Sequence, residues 1–199
     1  MIHLIGVDHF KAQRKKCDLE LTELQWQYQA TVKSAIQSLH PDLLAEEDHP
    51  SYLSEDGAES ILQPIAQSHG IPHRFIEADR ATQKELGYKT VDIIKALLIA
   101  RGDRSATAAS AHKIAHQFPI RERFWLAELG KTAQKNVVLV FGDLHLTTFT
   151  NLLAAEGIPY KIFAERIGVD PSTDPEYEAL RYAQDHNMFG ETNCFCLES

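Results

Sequence analysis

Val137-Val138-Leu139-Val140-Phe141-Gly142-Asp143-Leu144-His145 is the stretch that decides the fold. An unbroken apolar run rich in Val stops at a glycine, the pattern of a buried strand whose carboxyl end opens into a tight turn. His145 stands just beyond that turn. The N-terminus repeats the arrangement in His3-Leu4-Ile5-Gly6-Val7-Asp8-His9, and each turn also carries an aspartate, Asp8 or Asp143. If the two strands share one parallel sheet, both imidazoles emerge on the same edge, where open α/β sheets bind their ligands.

Around these strands the chain has 199 residues, enough for one full core and too few for two comfortable domains. With 44% apolar and 24% charged residues, its composition is that of an ordinary globular protein, and no apolar run reaches membrane-spanning length. Met1 leads straight into a strand without a basic segment and a long apolar one, so the expected address is cytoplasmic, with no membrane partner. A net charge of −8 argues against general nucleic-acid affinity, which needs clustered Lys and Arg. The one dense basic patch, Lys11 to Lys16, reads either as a solvated segment or as a lure for an anionic substrate beside His9. Cys17, Cys194 and Cys196 make no disulfide framework, and Cys194-Phe195-Cys196 lacks the second pair that a zinc site needs.

Alternating apolar runs and helical periodicities then give the order of elements. A first strand covers 2–6. A helix capped by Asp18 or Thr22 runs to Leu39, burying Leu21, Leu24, Tyr28, Val32, Ile36 and Leu39, and Pro41 breaks it. A second strand from Pro41 ends in Glu46-Glu47-Asp48. Residues 56–70 read as a helix with Pro64 inside it, and a third strand, 72–78, delivers Asp79 and Arg80. Residues 81–133 contain only helical patterns, with pieces at 90–101, from Ser105 and at 120–133. That is more than a sheet crossover requires, so the surplus is expected to cap the sheet edge. A helix over 146–156 buries Phe149, Leu152 and Leu153. A fifth strand over 157–164 ends in Glu165-Arg166, and a short helix set up by Asp174 and Pro175 runs through Ala183. Residues 184–199 have no assignment. The expected fold is a single α/β domain over 1–199: a mainly parallel β-sheet flanked by helices on both faces, a three-layer αβα arrangement with a helical cap from the middle of the chain.

The titratable groups collect on one rim of that sheet: His9, Glu46 or Glu47, Asp79, Arg80, His145, Glu165 and Arg166, with Asp8 and Asp143 in the turns. Two imidazoles and a carboxylate suit either of two mechanisms. They can hold a divalent metal ion that acidifies water or polarises a carbonyl or phosphoryl oxygen. Alternatively one histidine deprotonates water, a carboxylate fixes its tautomer, and an arginine stabilises the developing oxyanion. No glycine-rich phosphate loop and no Gly-x-Ser-x-Gly elbow is present, which disfavours a nucleotide site and a serine hydrolase.

Gly6-Val7-Asp8-His9, the strand ending in Glu46-Glu47, Glu122-Arg123 in a helix, and the late Gly142-Asp143-Leu144-His145 together resemble the TraB/TIKI and erythromycin-esterase/ChaN-like superfamily over about three-quarters of the chain. The resemblance implies a site of His9, Glu47 (Glu46 if the register slips by one), Arg123 and His145, with His9, Glu47 and His145 as the ligands of any metal. Asp143 and Leu144 depart from the small residues usual between glycine and histidine in TraB-like members. Because members include metal-dependent proteases, metal-independent macrolide esterases and haem- or iron-binding proteins, the resemblance implies a hydrolase-like site without naming a substrate. The functional expectation is a hydrolase of an ester, amide or phosphoester bond acting on a small molecule or peptide. The alternative is a non-catalytic protein that holds a metal, haem or small anion on the same rim.

Overall fold

In a computed structural model of the chain, residues 1–87, 91–103, 105–131 and 135–189 are described, apart from the side chains of 9, 10, 91–94 and 97. The first strand, β1 (Ile2–Val7), is followed by a π-helical turn (His9–Gln13) and a short strand, β2 (Arg14–Lys16). Helix α1 (Glu23–Leu39) starts at Thr22, whose hydroxyl accepts from the Gln25 N–H at 3.3 Å while the Gln25 side chain accepts from the Thr22 N–H at 2.9 Å. This reciprocal cap satisfies two otherwise orphaned donors and settles the choice between Thr22 and Asp18. Strand β3 (Leu43–Glu46), helix α2 (Pro50–Glu55), strand β4 (Ala58–Ser60), helix α3 (Leu62–Ser68) and strand β5 (His73–Phe75) follow. Next come α4 (Arg80–Glu85), α5 (Val91–Ala100) and α6 (Ala106–Gly130), then β6 (Val137–Gly142), a 3₁₀ turn (Asp143–His145) and α7 (Leu146–Ala155). Strand β7 (Tyr160–Ile167) and helix α8 (Pro175–Asp185), capped by Asp174, complete the described chain.

Five of the strands form one parallel sheet in the order β5-β3-β6-β1-β7, so the two strands that lead into Gly-x-x-His lie side by side in its interior. Alternation along each strand sorts side chains to two faces. Ile5, Val7, Leu44, Val138 and Val140 pack against α1 and α3. Leu4, Ala45, Leu139 and Phe141 pack against Trp125 and Leu129 of α6 and against Phe149 and Leu153 of α7. The architecture is therefore the expected three-layer α/β fold. A smaller apolar cluster joins Ala111, Ile114 and Phe118 of α6 to Ala179, Leu180 and Ala183 of α8, so the first half of α6 carries α8 while its second half covers the sheet. No helix among the described residues is long and apolar enough to cross a membrane.

Three expectations need correction. Residues 56–70 are not one helix: Ala58–Ser60 pairs antiparallel with Arg14–Lys16, because Gly57 at φ 57° turns the chain before Pro64 enters the first turn of α3. Residues 106–130 form one helix rather than two, with Pro119 inside it. Glu165 and Arg166 lie within β7 rather than beyond its end, since the strand runs on to Ile167, whose carbonyl accepts from the Asp8 N–H at 2.8 Å.

Candidate functional site

A cavity of about 490 Å³ opens at the carboxyl ends of the central strands, between the strand termini and α6 and α8. Register explains why the termini meet there: Gly6 faces Phe141 and Val7 faces Gly142, so the turns after β1 and β6 leave the sheet together. Gly6 is also the contact point between them. A Cβ at that position would lie 2.2 Å from Oδ1 of Asp143, so only glycine lets this carboxylate rest on β1. Asp143 then accepts from the Arg166 N–H at 2.7 Å and from the Tyr177 hydroxyl, tying the β6 turn to β7 and α8. Burial raises its pKa above the usual carboxylate value.

His145 forms the inner wall. Its imidazole is buried, stacked on Phe118 at 3.6 Å between centroids and edge-on to Trp125 at 4.6 Å. Nδ1 lies 2.8 Å from Oε1 of Glu122, and Nε2 lies 3.3 Å from Nη1 of Arg121. A guanidinium can only donate, so Nε2 is the lone-pair nitrogen and Nδ1 carries the proton that Glu122 accepts. Glu122 also accepts from the Thr148 hydroxyl, and its burial pushes its pKa well above the ordinary carboxylate value despite that bond.

Arg121 is the centre of a second group. It donates Nε and Nη2 to Glu77 at 3.1 and 2.6 Å and pairs through Nη2 with Glu47. Its guanidinium stands 5.2 Å from the Trp125 ring centroid. The other oxygen of Glu47 accepts from the Gly142 N–H at 2.6 Å, and Glu47 Oε1 is 3.7 Å from Nε2 of His145. Arg121 thus fills the space between His145, Glu47 and Glu77 that a bound cation would take. Among the described residues, no group of three or more His, Cys, Asp or Glu side chains could hold a metal ion.

Among the expected site residues, the structure brings Glu47 and His145 together on the cavity wall, with Asp8 and Asp143 beside them. The side chain of His9 lies outside the described residues. Its backbone opens the π-helical turn that Asp8 caps by accepting from the Lys11 N–H at 3.0 Å. Glu46 points to the opposite face, sealed at 0% exposure by Gln13 at 2.8 Å, Ser60 at 2.5 Å and His73 at 2.8 Å, so the register favours Glu47. Arg123 is a correction. It is exposed, and its nearest carboxylate is Glu156 at 3.6 Å. On α6 the buried stripe is Phe118, Glu122, Trp125 and Leu129. Arg121 stands three residues after Phe118 and four before Trp125, at the border of that stripe, whereas Arg123 has neither spacing and turns away. Asp79 and Arg80 are corrections as well. Asp79 caps α4 through the Thr82 N–H at 2.8 Å, and exposed Arg80 pairs with Glu55 at 3.1 Å. The carboxylate that this segment delivers is Glu77, two residues earlier. Glu165 and Arg166 are exposed on β7.

The basic patch is also accounted for. Lys11 pairs with Asp8 at 2.7 Å, and Arg14 makes a two-pronged contact with Asp48 at 2.8 and 3.0 Å, so neither is set aside for an anionic ligand. Arg121, Glu122 and Glu77 were missing from the expected rim. The apolar spacing in α6 was the signal for the first two, and nothing in the local sequence singled out Glu77. Comparisons with protein-family models, with curated proteins and with solved structures found no match.

Proposed function

We propose that this protein is a hydrolase of ester, amide or phosphoester bonds in which His145 does the acid–base work. The observation that carries this reading is the 2.8 Å bond from Nδ1 of a buried His145 to Glu122, which makes Nε2 the lone-pair nitrogen, on the cavity wall and 3.3 Å from Nη1 of Arg121. Nε2 takes a proton from water as its oxygen bonds to the carbonyl or phosphoryl centre. Glu122, and Glu47 at 3.7 Å from Nε2, favour the imidazolium that forms. Arg121, held through Nε and Nη2 by Glu77 and Glu47, turns its Nη1 from Nε2 of His145 to the developing oxyanion as that nitrogen takes the proton. The imidazolium then gives its proton to the leaving oxygen or nitrogen, which departs as an alcohol or amine. No step requires a metal.

The meeting of Glu47, an arginine of α6 and His145 on one cavity supports the resemblance to the TraB/TIKI and erythromycin-esterase/ChaN-like superfamily, with Arg121 in place of Arg123. A cytoplasmic address is part of the same proposal, supported by a composition ordinary for a globular protein. The test is a hydrolase panel run on wild type, His145→Ala and Glu122→Gln, with circular dichroism as the control for folding. The expected result is about a hundredfold or greater loss in a folded His145→Ala variant and activity that chelators leave unchanged. Full turnover in folded His145→Ala would refute the proposal.

A further inference from the structure

The charges that line the cavity say which substrates it accepts. This inference rests on the hydrolase reading for its reaction but on the cavity alone for its selectivity. Each of the four cationic side chains on the described wall is already engaged by a carboxylate of the same wall. At the mouth, Lys11 meets Asp8 at 2.7 Å and Lys113 meets Glu176 at 3.7 Å. Deeper in, Arg14 meets Asp48 at 2.8 Å, and the single guanidinium of Arg121 is shared by Glu47 and Glu77. Asp143 and Asp174 complete the wall, held by neutral donors: the Tyr177 hydroxyl for the first and the Glu176 N–H, at 2.8 Å, for the second. Seven carboxylates therefore face four cations. An anionic substrate would have to displace a carboxylate from its partner, whereas a cationic one displaces nothing and relieves an excess of negative charge focused in a low-dielectric cleft. The half-buried ring of Tyr177 on the same wall is a surface on which an ammonium group also rests favourably.

We propose that the cavity selects substrates bearing a positive charge, namely esters or amides of amine- or ammonium-containing molecules. Three acetate esters of matched shape provide the test, with a trimethylammonium, a tert-butyl or a carboxylate head group. Binding is measured by calorimetry or protein-observed NMR, and acetate release is followed in parallel. The ammonium ester is expected to bind about tenfold more tightly than its neutral isostere, with the carboxylate ester weakest and the advantage shrinking as salt is raised. Asp8→Asn combined with Asp174→Asn removes two wall charges while asparagine keeps both caps, and is expected to cut the preference to about threefold or less. Equal or tighter binding of the neutral ester, tightest binding of the carboxylate ester, or no ammonium binding at about 10 mM would overturn the inference. Turnover without ammonium preference defeats the inference and leaves the hydrolase reading standing. Ammonium preference without turnover does the reverse.

Discussion

Replacing Gly6 with alanine tests the joint between the two central turns, because the added methyl has nowhere to go. Its ideal position lies 2.2 Å from Oδ1, 3.1 Å from Cγ and 3.4 Å from Cα of Asp143, so the carboxylate must move by more than an ångström. That carboxylate is pinned by the Arg166 N–H at 2.7 Å and by the Tyr177 hydroxyl, and the strand beneath it is buried between β6 and β7. Overpacking costs about 1–3 kcal/mol, and losing a hydrogen bond to a charged acceptor costs about 1.5–3 kcal/mol. Against these, alanine is better than glycine within a strand by about 0.5–1 kcal/mol. Gly6→Ala is therefore expected to lose about 2–4 kcal/mol, read from urea unfolding by circular dichroism as a lower midpoint with an unchanged slope. The double-mutant cycle with Asp143→Ala isolates the cause. With the carboxylate removed, the same glycine substitution should cost about 0.5 kcal/mol or less, or stabilise. A cost that is small in the wild-type background, or equally large without Asp143, would refute the reasoning.

Further outcomes follow from the charged groups of the site. Arg121→Met leaves Glu47 and Glu77 buried without their shared cation and is expected to cost about 3–5 kcal/mol. Arg123→Ala, an exposed change, is expected to stay within about 0.5 kcal/mol; the same urea titration separates them, and equal effects would undo the assignment of roles. Glu122 has its pKa raised by burial, so the folded protein holds that proton more tightly than the unfolded chain does. Its contribution to stability is therefore full below the ordinary value of 4.5 and is lost as pH rises through the folded value. Compared with wild type across this range, Glu122→Gln is expected to show a flatter decline in urea midpoint with rising pH. Identical pH profiles would show that Glu122 carries no such penalty.

Much of the architecture was legible in the sequence because burial on both sides leaves a continuous apolar run, and a glycine at its end marks where the run stops. Val137–Gly142 and Ile2–Val7 carry that signature, and it placed His145 at the strand edges correctly. Strand β4 was not legible, since three residues cannot show a period and what makes Ala58–Ser60 a strand is its partner Arg14–Lys16. The end of β7 was hidden for a related reason. An edge strand exposes residues such as Glu165 and Arg166, so loss of hydrophobicity there does not mark its terminus.

By itself, then, the sequence determined the mainly parallel sheet, the cap at Asp174, and the presence of a histidine and an acidic pair at strand ends, because local propensity and side-chain periodicity act over a few residues. Only the tertiary structure decided which member of each pair faces the cavity: Glu47 over Glu46, Arg121 over Arg123, and Glu77 in place of Asp79. A one-residue step in a strand reverses the face and a two-residue step in a helix turns the side chain by about 200°. Which direction leads to the cavity depends on how α6 lies on the sheet, a contact between segments more than a hundred residues apart in the case of β1 and α6.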